Sequence, residues 1–293
     1  MALACIHTHT RFCDGLDDIE TCCKAAARKG LACLGFSAHS PIKKKTGIHN
    51  VCNLREERLE EYINEVLAAK KRWEGKLPVF LGLEVEFIEN LTGPADRDFR
   101  EMGLDFIIGS VHYVIPPKGS PFTVDDTTEA VSRGIREGYG GDPMGMVEDY
   151  LNAEIAMIRA GGFDVLGHPD LVKKNNYRPQ NLNYRLFSEE EPLYKEKTAI
   201  IAALMAKTGI PSEVNTGGIS RGKTGDCYPS LPFLALFREQ GVPMLINADA
   251  HKAEDVDGHY REAIETMLAA GYTETLIFEG RQNSRPIWKK EKL

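Results

Sequence analysis

Along the chain, short apolar segments alternate with longer segments whose apolar positions recur at helical spacing, and this alternation runs from one end to the other. Such a rhythm is the pattern of β/α units around a parallel sheet. Strands are predicted at 3–9, 31–37, 79–85, 106–112, 163–168, 211–215 and 242–248, with a further strand-like piece at 274–279. Helices are predicted between them, at 17–29, 55–73, 128–139, 144–160, 193–208, 230–240 and 253–270. Gly30, Gly161, Gly209, Gly241 and Gly271 stand just beyond five of these helices, where C-terminal caps belong.

Two stretches break the rhythm. Residues 113–126 carry Pro116, Pro117, Gly119 and Pro121 and read as a loop leaving a strand end. Residues 173–191 are polar and Asn-rich, basic at first and acidic later. Each follows a candidate metal ligand, so each is read either as a wall of a substrate pocket or as an ordinary surface loop. No linker interrupts the series. The expectation is an α/β fold, a distorted, TIM-like barrel of seven β/α units forming one domain over residues 1–293, since barrels reach about 250 residues as single units.

Composition narrows the partners. With 42% hydrophobic and 27% charged residues the chain reads as a globular enzyme able to bury a sizeable core. Its net charge of −7 argues against binding a nucleic-acid backbone over a broad surface, but permits a small anionic substrate in a local pocket. Accordingly Ile42-Lys43-Lys44-Lys45 is read as a solvated basic loop. No apolar run is long enough to span a bilayer and no secretory signal is recognisable, so no membrane partner and a cytoplasmic location are expected. The odd cysteine count, seven, without framework spacing, suits reduced thiols. Oligomeric state is left open.

The chemistry gathers at the predicted strand ends, which in a parallel barrel converge on one rim. His7 and His9 end the first strand, two residues apart and therefore on one side of it. His39 follows the second strand, Glu84 closes the third, His112 ends the fourth, His168 the fifth and Asn215 the sixth, while Asp249 and His251 follow the seventh. Six of the eight histidines thus lie at strand ends, a convergence that suits zinc, manganese or iron better than calcium or magnesium. His49 and His259 are read as non-ligands. Asp14, before Gly15, is open to two readings, a turn residue or a ligand. Lys173, Lys174, Arg178 and Arg221 lie in loops on the expected rim as candidate phosphate clamps. Arg221 is preferred among them for its bidentate fork. Asn215 is a candidate for orienting substrate or a bound water. Asp170 or Asp125 could protonate the leaving alkoxide or bind a substrate amine.

In their order, HTHTRFCDG, FSAHSP, GLE, GSVH, GHPDL, EVNTGG and DAH resemble the polymerase and histidinol phosphatase (PHP) family, and within it the monofunctional histidinol-phosphatase branch. The resemblance covers nearly the whole chain. It implies a distorted barrel of seven β/α units with two to three divalent metal ions, zinc, manganese or iron. It implies His7, His9, Glu84 and Asp249 around one metal, Glu84 bridging to a second held by His112 and His168, and Asp14, His39 and His251 at a third. The implied reaction is hydrolysis of a small phosphate monoester, L-histidinol phosphate, by attack of a metal-bridging hydroxide, with Glu84, Asp249, Asp170 and Arg221 in the catalytic roles. Another small phosphate ester or a nucleotide is the alternative substrate, and a non-catalytic metal-binding barrel the remoter alternative. There are two departures. Ala38 stands where the family usually has Asp, which leaves His39 without one orienting partner, and Asp14 stands where His is frequent.

Overall fold

The computed structural model describes residues 1–43, 46–48, 51–176 and 184–293. Six parallel strands form one curled sheet in the order β1-β2-β3-β6-β7-β8. They are β1 (Leu34–His39), β2 (Val79–Glu86), β3 (Phe106–Ser110), β6 (Val165–Leu166), β7 (Ser212–Asn215) and β8 (Met244–Asn247). Helix α1 (Ile19–Lys29) precedes β1; α2 (Leu59–Arg72), α3 (Arg97–Glu101), α4 (Thr128–Gly138), α5 (Pro143–Ala160), α6 (Pro192–Thr208), α7 (Gly217–Ser220) and α8 (Leu231–Gln240) lie between the strands, and α9 (Tyr260–Ala269) follows the last parallel strand. The expected α/β, distorted TIM-like barrel is present as a curled half-barrel, with six parallel strands among the described residues rather than seven.

The residues at 3–9 do not form the regular first strand that was expected. They touch β1 through a Cys5–Leu34 bridge and the end of β8 through a Thr8–Ala250 bridge, both parallel. His9 N donates to Ala250 O at 2.8 Å and Ser37 N to Thr8 O at 3.0 Å, so the segment lies between the two edges of the sheet, held at points rather than along a ladder. His7 and His9 are thereby fixed at the mouth of the curl.

Side-chain alternation divides the sheet into two surfaces. On β2, Leu81, Leu83 and Val85 belong to the large core between strands and helices. Their neighbours Phe80, Gly82, Glu84 and Glu86 occupy the other face, by the period of two. The lower part of this inner face is apolar: Ile6, Phe80, Phe106, Ile108, Val165 and Leu245 cluster with Ile277 and Phe278. Gly82 is required there, since a Cβ at that position would come within 2.4 Å of the Phe106 ring. The upper part of the same face is polar and carries the site.

Several elements differ from expectation. The expected helix at 253–270 is split into a 3-10 turn at Ala253–Asp255 and α9, with His259 between them in the left-handed region at φ 58°. The stretch 113–126 is not only a loop: Tyr113–Val114 (β4) pairs antiparallel with Phe122–Thr123 (β5). Leu171–Asn176 forms 3-10 turns, while Arg178 and the residues around it lie outside the described residues, as does His49. The strand-like piece at 274–279 is one arm of an antiparallel hairpin, β9 (Glu274–Gln282) with β10 (Arg285–Lys292). Phe278 on β9 packs edge-on against Phe80 and Phe106, closing the end of the barrel away from the histidines. Among the described residues no helix is long and apolar enough to cross a membrane.

Candidate metal centre

At the C-terminal ends of the parallel strands all nine predicted ligands meet. Their donor atoms form four overlapping groups, within each of which every atom lies within 4.8 Å of the others: His9, Asp14, His39 and His251; His7, His9 and Asp249; His7, Glu84 and His168; and His39, Glu84 and His112. These groups share members with the implied ones: His9 also joins Asp14, His39 and His251, and His112 and His168, which both approach Glu84, group there with His39 and His7 respectively.

Glu84 is the centre of this arrangement. Its Oε2 is 2.8 Å from His39 Nδ1, 3.4 Å from His7 Nε2 and 3.6 Å from His9 Nε2. Its Oε1 is 2.9 Å from His168 Nε2 and 3.5 Å from His112 Nε2. Asp249 Oδ1 stands 3.2 Å from His9 Nε2, 3.7 Å from His7 Nε2 and 3.5 Å from His251 Nδ1. Asp14 reaches His251 Nε2 at 3.2 Å and His39 Nε2 at 3.6 Å, which favours its reading as a ligand over that of a turn residue. Despite Ala38, His39 is therefore contacted by two carboxylates.

The donor set fits divalent metal ions. His7 Nε2, His9 Nε2, Glu84 Oε2, Asp14 Oδ1 and His168 Nδ1 are buried and have no hydrogen-bond partner. Buried polar atoms left unpaired cost roughly 1–3 kcal/mol each, and cations held in the groups that the first four of these atoms join would remove that cost. The electrostatics agree. Burial works to lower the His7 pKa, yet Glu213, Glu84 and Asp249 raise it well above its ordinary value. For His112, Glu86 and Glu84 overcome burial and push the pKa up to about 9. His9 is lowered to about 3 by burial and by the neighbouring imidazoles of His251 and His39. Burial opposes ionisation of Glu84, but His39, His7 and His112 hold its pKa well below the usual carboxylate range.

Two carboxylates outside the predicted set orient these ligands. Glu86 accepts from the His112 backbone N–H at 2.9 Å and contacts His112 Nδ1 at 2.9 Å. Glu213 contacts His7 Nδ1 at 3.0 Å. The signal for both was the period of two: Glu86 follows Glu84 by two residues and Glu213 precedes Asn215 by two, so each shares the inner face with a residue already singled out.

The structure separates the predicted clamps. Arg221 and Lys174 line the cleft above the histidines, whose volume is about 960 Å³. Arg221 is not free: Nη2 pairs with Asp249 Oδ2 at 3.0 Å, and Nη1 donates to Asp249 O at 2.9 Å and contacts His251 Nδ1 at 2.6 Å. Asp249 sits at φ 47°, a left-handed conformation that these bonds help to maintain. Lys174 pairs with Asp125 Oδ2 at 3.0 Å on the cleft wall. Asp170 and Lys173 are turned to each other instead, both buried, at 3.3 Å. Asp170 also accepts from Ser230 N at 2.7 Å, and burial raises its pKa to about 6. Lys173 additionally donates to Cys227 O at 2.7 Å. A general-acid role for Asp170 and a phosphate-clamp role for Lys173 find no cleft exposure to act through. Asn215 is likewise buried, donating to Glu213 at 2.8 Å and accepting from Gly217 N at 2.9 Å, which makes it a strut of the rim.

A curled parallel sheet with imidazoles and carboxylates converging at its C-terminal rim defines a metal-dependent hydrolase. Residues 6–217, more than half of the chain, match the PHP domain, and the chain belongs to that family of metal-dependent phosphoesterases. It is 27% identical over 277 residues to the "Probable histidinol-phosphatase" of Deinococcus radiodurans, covering 94% of this chain and 96% of that protein. A solved structure from Listeria monocytogenes shares the fold with a TM-score of 0.75 at 24% identity, covering 88% of this chain and 98% of that one. The histidinol phosphate phosphatase of Lactococcus lactis, solved with zinc, L-histidinol and phosphate, gives a TM-score of 0.65 at 19% identity over 97% of this chain and 98% of that one.

Proposed function

We propose that this chain hydrolyses L-histidinol phosphate to histidinol and inorganic phosphate, using two to three divalent ions held by His7, His9, Asp14, His39, Glu84, His112, His168, Asp249 and His251. The observation that carries the phosphatase reading is the rim itself, where buried donor atoms without hydrogen-bond partners face one another beneath an open cleft. The substrate reading is supported by the Deinococcus radiodurans and Lactococcus lactis relatives.

Divalent ions there would neutralise charge on the phosphate and lower the pKa of bound water. The chain's own residues supply the rest. Glu84 and Asp249 keep the donors converged. Arg221, through its bonds to Asp249 and His251, holds those two in place and presents a guanidinium edge to the cleft. Lys174 offers a second cation, tethered by Asp125. Burial would raise the Asp125 pKa, but Lys174 and His112 lower it to about 2, so at neutral pH it is ionised and suited to pairing with a substrate ammonium rather than to donating a proton. The test is steady-state kinetics on L-histidinol phosphate, nucleoside monophosphates and p-nitrophenyl phosphate after reloading with manganese, zinc or iron. The expected result is a kcat/KM for histidinol phosphate at least about 100-fold above the others. Equal values across the panel would overturn the substrate assignment.

A further inference from the structure

Glu213 lies on β7, fully buried beneath the ligands, and touches neither cleft nor solvent. Four nitrogens from four segments converge on its two oxygens. Both oxygens are within 3.1 Å of His7 Nδ1. Oε1 also accepts from the backbone N–H of His168 at 2.9 Å and from Asn215 Nδ2 at 2.8 Å, and Oε2 accepts from Asn247 Nδ2 at 2.8 Å. Because the His168 backbone, Asn215 and Asn247 all donate, the position needs a group that only accepts, which an ionised carboxylate provides and an amide does not, and such a group leaves His7 Nδ1 to be a donor too. On the far side of the same imidazole, His7 Nε2 has no hydrogen-bond partner and faces Glu84 Oε2 at 3.4 Å and Asp249 Oδ1 at 3.7 Å.

We propose that Glu213 is a positioning residue for the metal centre: it keeps the His7 proton on Nδ1, so that the Nε2 lone pair is directed at the rim, where His7 groups with His9 and Asp249 and with Glu84 and His168. The assignment rests on the metal-holding reading of the rim. Through its bond to the His168 backbone the same carboxylate fixes a second ligand, so that two strand ends are registered by one group. A hydrogen-bonded carboxylate behind a ligating imidazole strengthens that ligand, and its loss weakens metal affinity by about 10–100-fold.

The test compares metal-stripped wild type, Glu213→Gln, Glu213→Asp and Asn247→Ala, titrated with Zn²⁺ or Mn²⁺ against a chelating indicator, with thermal melts of each metal-free protein. Glu213→Gln should weaken the affinity of one site by about 10–100-fold, and Glu213→Asp by less. Asn247→Ala removes a strand tie but leaves the carboxylate on His7, so it should lower the melting temperature while holding affinity within about threefold. Equal losses of affinity in Glu213→Gln and Asn247→Ala would reduce Glu213 to a structural tie and overturn the proposal. Should Glu213→Gln not fold, long-range ¹H–¹⁵N correlation of the zinc-loaded wild type decides alone. The proton of His7 on Nδ1 is the expected result, and a proton on Nε2 overturns it. Wild type that takes up no metal at all would instead refute the metal-holding reading, a result visible before any variant is compared.

Discussion

Five imidazoles around one buried carboxylate is an arrangement that cannot be satisfied by protons alone. Glu84 faces His7, His9, His39, His112 and His168 within 3.6 Å. Were all five protonated, their mutual repulsion in a buried setting would far exceed what one carboxylate offsets; were all neutral, lone pairs would face its oxygens. Divalent ions resolve the conflict by binding neutral imidazole and ionised carboxylate together. A pH dependence follows. In the metal-free protein the carboxylates raise the pKa of His7 and His39, and that of His112 to about 9. These imidazoles hold protons at neutral pH, and ligation must release them. Metal affinity should therefore rise with pH from neutrality to at least about 9, where His112 loses its proton. Calorimetric titrations in buffers of different ionisation enthalpy should show proton release at pH 7, and an enthalpy independent of buffer would contradict this.

At the level of elements, the rim is built by packing strand ends closely enough that side chains from different repeats share one ion. The short helix α7 shows how tight that is. A Cβ at Gly217 would come within 2.6 Å of Asp249 Oδ2, the oxygen that Arg221 grips. Gly217→Ala should displace Asp249 and lower kcat by at least about tenfold, with a stability loss of about 1–3 kcal/mol as for other overpacked sites. Wild-type kinetics in this variant would show that Asp249 tolerates movement. The helices were legible in the sequence because their apolar period and capping residues agree. Asp18 caps α1 by accepting from Thr21 N at 2.7 Å, and Gly30 ends it in the left-handed region at φ 71°. Histidine placement was legible because strand ends punctuate the repeats. Glu86 and Glu213 were harder to see, since a lone acidic residue inside an apolar strand signals burial only once the facing donor, His112 or His7, is known. The fates of Asp170 and Lys173 were not legible either: their mutual pairing depends on the 3-10 turns at Leu171–Asn176, which local sequence preference did not specify.

For the whole molecule, catalysis and stability are divided between the two ends of the barrel. The C-terminal hairpin closes the end opposite the metal centre, with Phe278 packed against Phe80, Phe106 and Trp288 at ring separations of 4.8, 5.5 and 5.2 Å. Phe278→Ala should cost about 3–5 kcal/mol while leaving kcat within about twofold at a temperature where the variant is folded. A thermal melt paired with an assay checks both, and a large kcat loss in a fully folded variant would show that the two ends are coupled. Loss of the whole chain's folded signal in one cooperative step would support a single domain over residues 1–293.

The most direct measurement is metal content against phosphatase activity on the same sample, stripped by chelation and reloaded stepwise with manganese, zinc or iron. The rim predicts two to three ions per chain, with phosphate release absent from the stripped protein and rising as the ions are restored. Fewer than two ions per chain, together with no metal-dependent phosphatase activity, would contradict the account.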